Sequence, residues 1–340
     1  MNEKINTQWP ETWGVIGHEW AVSQLQQSLL NQRARHGYLI IGPESVGKET
    51  LARGFAMALN CLEKREKKRP CGVCSSCQRV LSGNHPDILY SQQDSNTGAL
   101  KVDEVRSLAS KLALKPYEAH YRVAILRDFD RAQPLAQDAL LKTLEEPAAH
   151  SVLILLAEDI GRILPTITSR SQVITLRPVA ARTIALSLRD EHDLDEAQSV
   201  LLAQLSGGRP GWAIRAASQP ELLNMRVEGL DQLQTLLGEN RAGRFAAAET
   251  LSKDKAALLN QLELWQTFWR DVVLLAEASG VQVANVDKQD YLSALAAHLT
   301  PEEALKALKA TRDLIGTLSS TNANARLALE VMLLDYPGLA

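Results

Sequence analysis

All four cysteines of the chain lie in one short segment, at Cys61, Cys71, Cys74 and Cys77. Their spacing places Cys71, Cys74 and Cys77 in one tight turn region, where all three can bind a single ion. Cys61 would then supply the fourth ligand. Four thiolates in a tetrahedron are a ligand set of structural zinc, with no coordination position left open for chemistry. We therefore predict a structural Zn²⁺ ion in a module at 61–87, with unligated core cysteines as the alternative.

A strongly basic run within that module extends from Lys64 to Arg69 and holds five positive residues and one glutamate. We favour a solvated loop, and a contact with the phosphates of DNA is the alternative. His85 is a rival metal ligand, but its place in a His-Pro-Asp turn favours a structural role.

Upstream of the cysteines, residues 42–50 approach the pattern of a phosphate-binding loop. In the full pattern, G-x4-G-K-[ST], backbone N–H groups cradle phosphate, the lysine reaches the β- and γ-phosphates, and the hydroxyl holds Mg²⁺. Gly42, Gly47 and Lys48 match this pattern. Glu49 stands at the hydroxyl position, and Thr50 lies about 100° further round the helix. We expect a degenerate loop that closes a strand-to-helix turn, with residual binding of ATP or ADP as the alternative.

The second half of such a site is normally an acidic pair at the end of an apolar strand, where it holds Mg²⁺ and polarises the attacking water. Here the apolar run 123–126 ends in Arg127 and Asp128, so an arginine stands where a metal-binding aspartate is expected. Glu49 and Arg127 thus both stand at positions that would contact Mg²⁺ in a working site. We predict that the chain by itself does not hydrolyse ATP.

Alternating strands and helices must position these residues. Short apolar runs predict buried strands, and apolar residues at helical spacing predict helices between them. The predicted strands are 36–42, 122–126, 152–157 and 173–176, and the predicted helices are 48–59, 102–114 and 134–146. This order is typical of a parallel α/β sheet with both faces covered.

The composition changes after Pro178. We expect an α/β domain at 1–178, a small helical domain at 179–217 and an all-α domain at 218–340, since the last segment is rich in Leu, Ala, Gln and Glu. The all-α domain should contain about five helices. This domain contains one apolar stripe, which we interpret as part of its own core, with an interface to another subunit as the alternative. The stripe consists of Leu264, Trp265, Phe268, Trp269 and Val272.

The overall composition limits the kinds of partner that the chain as a whole would attract. Of 340 residues, 45% are hydrophobic and 23% charged, and the formal net charge of -3 gives no whole-chain attraction to nucleic acid or membrane. Residues 1–10 have no secretory pattern. No apolar run approaches the roughly 20 residues of a membrane span. We expect a cytoplasmic protein.

Four segments in order carry a family resemblance: the loop at 42–50, the cysteine insert, the run DALLKTLEEP at 138–147 and the run LPTITSRS at 164–171. Together they resemble the clamp-loader AAA+ family of bacterial DNA polymerase III, strongly over 10–215 and weakly through 322–330. The resemblance implies an AAA+ P-loop domain with a zinc insert, a small helical lid domain and an all-α C-terminal collar domain through which subunits assemble.

Within this family, the departures favour the delta prime type of subunit over the gamma/tau ATPase. Gamma/tau resembles a full ATPase, with Lys-Thr or Lys-Ser in the loop and Asp-Glu on the strand, and this chain has neither pair. AAA+ ATPases use an arginine to sense the γ-phosphate, and the corresponding position in this chain is Gly211. Arg209 and Arg215 are close enough in sequence that an alignment shifted by one helical turn would place an arginine there.

Ser169 and Arg170 match the arginine-finger motif of the family. Such a finger neutralises charge that develops on a neighbouring subunit's γ-phosphate in the transition state. On spacing alone, Arg170 would be a surface salt-bridge partner. In the run at 138–147, the leucines are expected to pack on the sheet, and the polar face is either solvated or an inter-subunit contact.

The resemblance implies a non-hydrolysing stator subunit of the DNA polymerase III holoenzyme. Its partners would be the gamma/tau and delta subunits and, through the complex, the sliding clamp and primer–template DNA. Arg170 would act in trans on the neighbour's ATP. The alternatives are an active clamp-loader ATPase in which Thr50 replaces the missing hydroxyl, a zinc-containing DNA-binding protein, and an AAA+ remodeller outside replication.

Overall fold

A parallel sheet forms the centre of the first part of the chain. The computed structural model describes residues 11–94, 100–321 and 323–338. The strands are β1 Gly37–Ile41, β2 Ile88–Tyr90, β3 Arg122–Leu126, β4 Ser151–Ala157 and β5 Gln172–Thr175. They form one five-stranded sheet in the order β2-β3-β4-β1-β5, and every pairing is parallel. The expected parallel α/β architecture is confirmed.

The central strands are buried along their whole length. All five residues of β1 and all seven of β4 are buried, because helices cover both faces of the sheet. Alternate residues of one strand therefore enter different cores. Tyr38 and Ile40 pack with Phe55 on one face, whereas Leu39 and Ile41 belong to the cluster of the opposite face.

Seven helices flank this sheet within the described residues. Their bounds are α1 Glu19–Leu30, α2 Lys48–Asn60, α3 Ser75–Leu81, α4 Val102–Leu112, α5 Pro134–Asp138, α6 Leu141–Glu145 and α7 Pro165–Thr168. Helix α2 follows β1 directly and packs on α1 and on α3 of the cysteine module. Since parallel strands end at one edge of a sheet, the segments after β1, β3 and β4 meet there.

Two sequence predictions about this part need correction. The single helix expected at 134–146 is two short helices separated by a turn at Ala139–Leu140, where the Leu140 N–H donates to the carbonyl oxygen of Gln137, three residues back, at 3.0 Å. Strand β2 was not predicted: it has only three residues, too few for a periodicity signal. The prediction about the N-terminal pattern falls on Met1–Pro10, outside the described residues.

The rest of the described chain is helical. The helices are α8 Ala181–His192, α9 Glu196–Leu205, α10 Pro210–Ser218, α11 Glu221–Gly238, α12 Arg241–Leu251, α13 Lys255–Ala276, α14 Gln289–His298, α15 Pro301–Ser320 and α16 Ala325–Asp335. Six of these follow Pro220, where about five were expected. The segment that carried the weak resemblance begins at Asn322, which is outside the described residues.

The apolar stripe of α13 is the core of this helical part. Trp265, Phe268, Trp269 and Val272 are completely buried in a cluster with residues of α11, α14, α15 and α16. Trp265 also donates its indole N–H to the carbonyl oxygen of Gly229 at 3.0 Å. The interpretation as core is therefore confirmed for these four residues, whereas Leu264 is only partly buried against the same cluster.

A buried arginine ties the ends of two helices in the same part. Arg244 on α12 is completely buried, and its guanidinium donates to backbone carbonyls at the end of α11, in the last turn of α16 and just after α16. Burial lowers the pKa of Arg244, while the nearby Tyr336 opposes that shift. The carbonyl oxygens supply the partners that a buried cation requires.

The chain divides into two compact units. The first ends at Thr183 and takes in Arg209–Gly211, and the second contains Ile184–Gly208 and the chain from Trp212 onward. The division into three domains remains a prediction. Among the described residues, no helix combines the length and the apolar character that crossing a membrane requires.

Candidate functional site

The phosphate-type loop joins β1 to α2. Gly47 has a positive φ of 112° at the N-cap of α2, a conformation that favours glycine. Gly42 is required for a different reason: a Cβ there would lie 2.6 Å from the carbonyl oxygen of Leu176. The two glycines that matched the pattern therefore have structural roles in shaping the turn.

Lys48 begins α2 and turns back onto this loop. Its side chain is 9% exposed, and Nζ donates to the carbonyl oxygens of Gly42 at 2.6 Å and Pro43 at 2.9 Å. Burial lowers the pKa of Lys48, and carboxylates oppose that shift: Glu158, Asp128, Asp130 and Glu44. The ammonium group is therefore satisfied by the loop itself in an acidic surrounding.

Glu49 and Arg127, the two residues that depart from the ATPase pattern, contact each other. Arg127 Nη2 lies 2.5 Å from Glu49 Oε1. The guanidinium also lies over the ring of Tyr90, 5.0 Å from its centroid, and the Arg127 backbone N–H donates to the Ser91 hydroxyl. Thr50 is the next residue along α2, and it is Glu49 that meets the strand end.

Three carboxylates complete the surroundings of the loop. Asp128 has a φ of 45° and accepts a hydrogen bond from the Gln93 amide. Burial raises the pKa of both Asp130 and Glu158. Neither Asp130 nor Glu158 was predicted from the sequence. Glu158 directly follows β4, and a polar residue immediately after a buried strand was the available signal.

Gly211 lies against the loop at the N-terminal end of α10. Its N–H donates to the carbonyl oxygen of Ser45 at 2.9 Å, and a Cβ at this position would lie 3.0 Å from the same oxygen. A side chain here would force the loop to shift. The position expected for the γ-phosphate-sensing arginine is thus a close backbone contact.

The four cysteines converge in a separate place. Their Sγ atoms all lie within 4.8 Å of one another. A tetrahedron of 2.3 Å zinc–sulfur bonds has edges of about 3.8 Å, so a small contraction would complete it. Cys61 follows α2, Cys71 lies in the loop, Cys74 caps α3 and Cys77 lies within α3. The cluster fits a metal ion.

Backbone N–H groups point at these sulfurs. The N–H of Cys71 donates to Cys61 Sγ at 3.3 Å, that of Cys74 to Cys71 Sγ at 3.4 Å, and that of Cys77 to Cys74 Sγ at 3.5 Å. Such donors favour thiolates, the form that binds metal. Cys61 and Cys77 are completely buried in the core cluster of α1 and α2, so the module is part of that core.

His85 has no free nitrogen for a metal. Its Nδ1 accepts the Asp87 backbone N–H at 3.1 Å, and Nε2 lies 3.2 Å from the Ser76 hydroxyl. Its structural role is supported. The basic run is mostly exposed, and its last residue, Arg69, donates to the carbonyl oxygen of Glu63 at 2.6 Å.

Arg170 follows α7 and is partly accessible. Its side chain is 38% exposed, and Nη2 lies 2.8 Å from Glu145 Oε1 at the end of α6. Nη1 donates to the carbonyl oxygen of Thr166 at 3.0 Å. The surface salt bridge considered from spacing alone is therefore present, and it leaves part of the guanidinium open to solvent.

The parallel sheet, the glycine loop at its edge and the cysteine insert define a P-loop domain of the AAA+ class with a helical C-terminal region. A family model described as "DNA polymerase III, delta subunit" matches residues 17–180, and one described as "DNA polymerase III, delta subunit, C terminal" matches 220–337. The chain belongs to the DNA polymerase III clamp-loader family.

Curated relatives agree with this assignment. DNA polymerase III subunit delta' of Pseudomonas aeruginosa is 36% identical over 61% of this chain and 66% of its own length. Subunit tau of Bacillus subtilis is 28% identical over 79% of this chain but only 51% of its own length. Subunit delta' of the same organism is 28% identical over 78% of both chains. The chain therefore spans about half of the tau relative and just under two thirds of the Pseudomonas one.

Among solved structures, a DNA polymerase III gamma-subunit-related protein of Thermotoga maritima has a TM-score of 0.40 and 16% identity, over 92% of this chain and 97% of that one. A likeness at this level carries no argument.

Proposed function

We propose that this chain is a delta prime-type stator subunit of the DNA polymerase III clamp loader. It does not hydrolyse ATP itself, and it completes the ATP site of a neighbouring gamma/tau subunit with Arg170. The observation that carries the proposal is the Glu49–Arg127 ion pair. Both positions that contact Mg²⁺ in a working site have changed, and the two new side chains form an ion pair with each other.

The charges around the loop support the inactive site. Mg²⁺ brings two positive charges to the phosphates of ATP, and a loop that lacks ligands for Mg²⁺ forgoes that charge. Lys48 already donates to two loop carbonyls, and Arg127 is paired with Glu49. Asp128 and Glu44 add negative charge beside the lysine. A triphosphate would have to displace these contacts against like charge.

The role of Arg170 rests on accessibility and charge. A guanidinium aimed at a γ-phosphate stabilises the charge that develops as the phosphoryl group transfers, and such a finger contributes about 10³–10⁵ in rate. Arg170 is held at the surface with part of its side chain in solvent. It is therefore available to a neighbouring subunit, as an arginine buried within its own fold would not be.

The cysteine centre is proposed to hold a structural Zn²⁺ ion. Four thiolates favour zinc over harder cations such as Mg²⁺, and the complete sulfur shell leaves no position for substrate. When bound, the ion would cross-link the end of α2 to α3. Cys61 and Cys74 would thereby fix the module onto the helix that also begins at the phosphate-type loop.

The proposed partners are gamma/tau and delta subunits, joined through the helical C-terminal region as a collar. Sliding clamp and primer–template DNA would be reached through that complex, in the cytoplasm. Neither the active-ATPase alternative nor the DNA-binding alternative has a specific supporting contact among the described residues.

The test is reconstitution with gamma/tau and delta subunits of the same organism. The chain alone should turn over ATP no faster than its Lys48→Ala variant, and adding it to the other subunits should complete an assembly with clamp- and DNA-stimulated ATPase. Turnover by the chain alone that Lys48→Ala abolishes would identify an active ATPase. DNA binding by the chain alone with a steep salt dependence would favour the DNA-binding alternative.

A further inference from the structure

The guanidinium of Arg170 is oriented by three groups of its own chain. Two are local to the turn of α7: the Thr166 carbonyl oxygen lies 3.0 Å from Nη1, and the Ser169 hydroxyl lies 3.5 Å from the same nitrogen. The third, Glu145, comes from α6 and lies 2.8 Å from Nη2. A carboxylate on a different helix therefore contacts the guanidinium of the proposed finger.

These contacts leave donors unused. A guanidinium carries five N–H groups in one plane. Within the part of the chain that the structure describes, Nη1 and Nη2 of Arg170 make the contacts above, and Nε has no hydrogen-bond partner. The guanidinium plane of Arg170 is thus held through Nη1 and Nη2, and its remaining N–H groups stay available to an anion.

Fixing this plane matters because an exposed arginine side chain otherwise samples many rotamers. A group that stabilises a transition state is effective when it is held in place before the reaction, since no reorganisation is then needed. Glu145 contacts the guanidinium of Arg170 within the same chain. It would therefore act on the phosphate of the neighbouring subunit only through Arg170.

We propose that Glu145 is a positioning residue for Arg170, which holds the guanidinium in the orientation that meets the γ-phosphate of the neighbouring subunit. This inference rests on the proposed function of Arg170 as a finger in trans. The opposite role, in which Glu145 competes with the phosphate and restrains the arginine, predicts a faster enzyme when the carboxylate is removed.

The test is a double-mutant cycle in the fully reconstituted clamp loader. Glu145→Ala, Arg170→Ala and the double variant are compared with wild type for clamp- and DNA-stimulated ATPase, after assembly and thermal melting are shown to be unchanged. Glu145→Ala should lower kcat about five- to tenfold with little change in KM, because the lost contact acts in the transition state. Glu145→Gln, which keeps an acceptor oxygen, should recover part of that loss.

In the Arg170→Ala background, Glu145→Ala should have no further effect. Glu146→Ala is the matched control, since Glu146 is the exposed neighbour on the same turn, and it should behave as wild type. An unchanged or faster rate in Glu145→Ala, or an equal loss in both backgrounds, would overturn the positioning role while leaving the finger intact. An unchanged rate in Arg170→Ala would instead remove the proposed function itself.

Discussion

Glu49 and Arg127 form an ion pair of 2.5 Å at the two positions where a phosphate-loop ATPase contacts Mg²⁺. The side chains are 44% and 43% exposed, so the pair contributes only about 0–1 kcal/mol to the free energy of unfolding. Its larger consequence is for ligands. A hydroxyl and a carboxylate hold a cation between them. We propose that the carboxylate and the guanidinium present here, which bind each other directly, leave no place for the metal.

Restoring both residues together should restore metal-dependent binding. The variant Glu49→Thr with Arg127→Asp places a hydroxyl after Lys48 and a carboxylate at the end of β3, as the Mg²⁺ contacts require. We expect ADP to bind this double variant at least about tenfold more tightly in Mg²⁺ than in EDTA, an effect that wild type lacks. Calorimetry on the isolated chain measures it.

Each single substitution is the matched control for that experiment. Glu49→Thr leaves the Arg127 guanidinium unpaired next to the metal position, and Arg127→Asp leaves the Glu49 carboxylate, which repels the phosphates of ADP, at the hydroxyl position. Neither should gain Mg²⁺-dependent binding. If one of them gains as much as the double variant, the two departures do not act as a pair.

The cysteine centre should contain roughly one zinc ion per chain. Cys74→Ser should lose most of the bound metal and lower the melting temperature. A serine can still cap α3, as the Cys74 sulfur does now, so the loss would come from the missing ligand. Elemental analysis of purified protein measures the metal. Ser75→Ala, an exposed neighbour, is the control, and a full metal content in Cys74→Ser contradicts the prediction.

Asp87 should make the fold sensitive to acid. It is completely buried, and burial alone would raise its pKa, but backbone N–H donors from Glu118, Tyr117 and Ala119 together hold the pKa below its usual value. A carboxyl whose folded pKa is lowered stabilises the protein above its unfolded pKa of about 3.9, and that stability is lost as the pH falls through the folded pKa.

Asp87→Asn should therefore make the free energy of unfolding depend less steeply on pH in the acid range. It should also destabilise the chain at neutral pH by about 3 kcal/mol, because an amide N–H₂ would face N–H donors that lose their acceptor. Urea unfolding across the acid range measures both effects. Asp138→Asn, an exposed carboxyl on α5, is the control and should keep the wild-type acid dependence. Identical curves for Asp87→Asn and wild type would contradict this account.

The sequence predicted the sheet and the loop because their signals are local. An uninterrupted apolar run such as 152–157 is buried on both faces, and the glycines at 42 and 47 meet backbone requirements that only glycine satisfies easily. The cysteine cluster was predictable for the same reason, since its spacing is short and its chemistry is specific.

The rest depended on contacts between distant segments. Neither Glu49 nor Arg127 reveals its partner from spacing, because the contact exists only after β1 and β3 are placed in one sheet. The same holds for Glu145 and Arg170, which meet across α6 and α7. The break at Leu140 was missed because the apolar residues on both sides of it keep a helical spacing.

The central claim is that this chain lost its own ATP site and supplies Arg170 to another. The most direct measurement is clamp- and DNA-stimulated ATPase of the reconstituted complex with wild type or Arg170→Ala, alongside Arg162→Ala as a control arginine from a nearby turn. We expect normal assembly and a fall of about a hundredfold or more in hydrolysis at the site facing this chain, for Arg170→Ala alone. An assembled Arg170→Ala complex with an unchanged rate would contradict it.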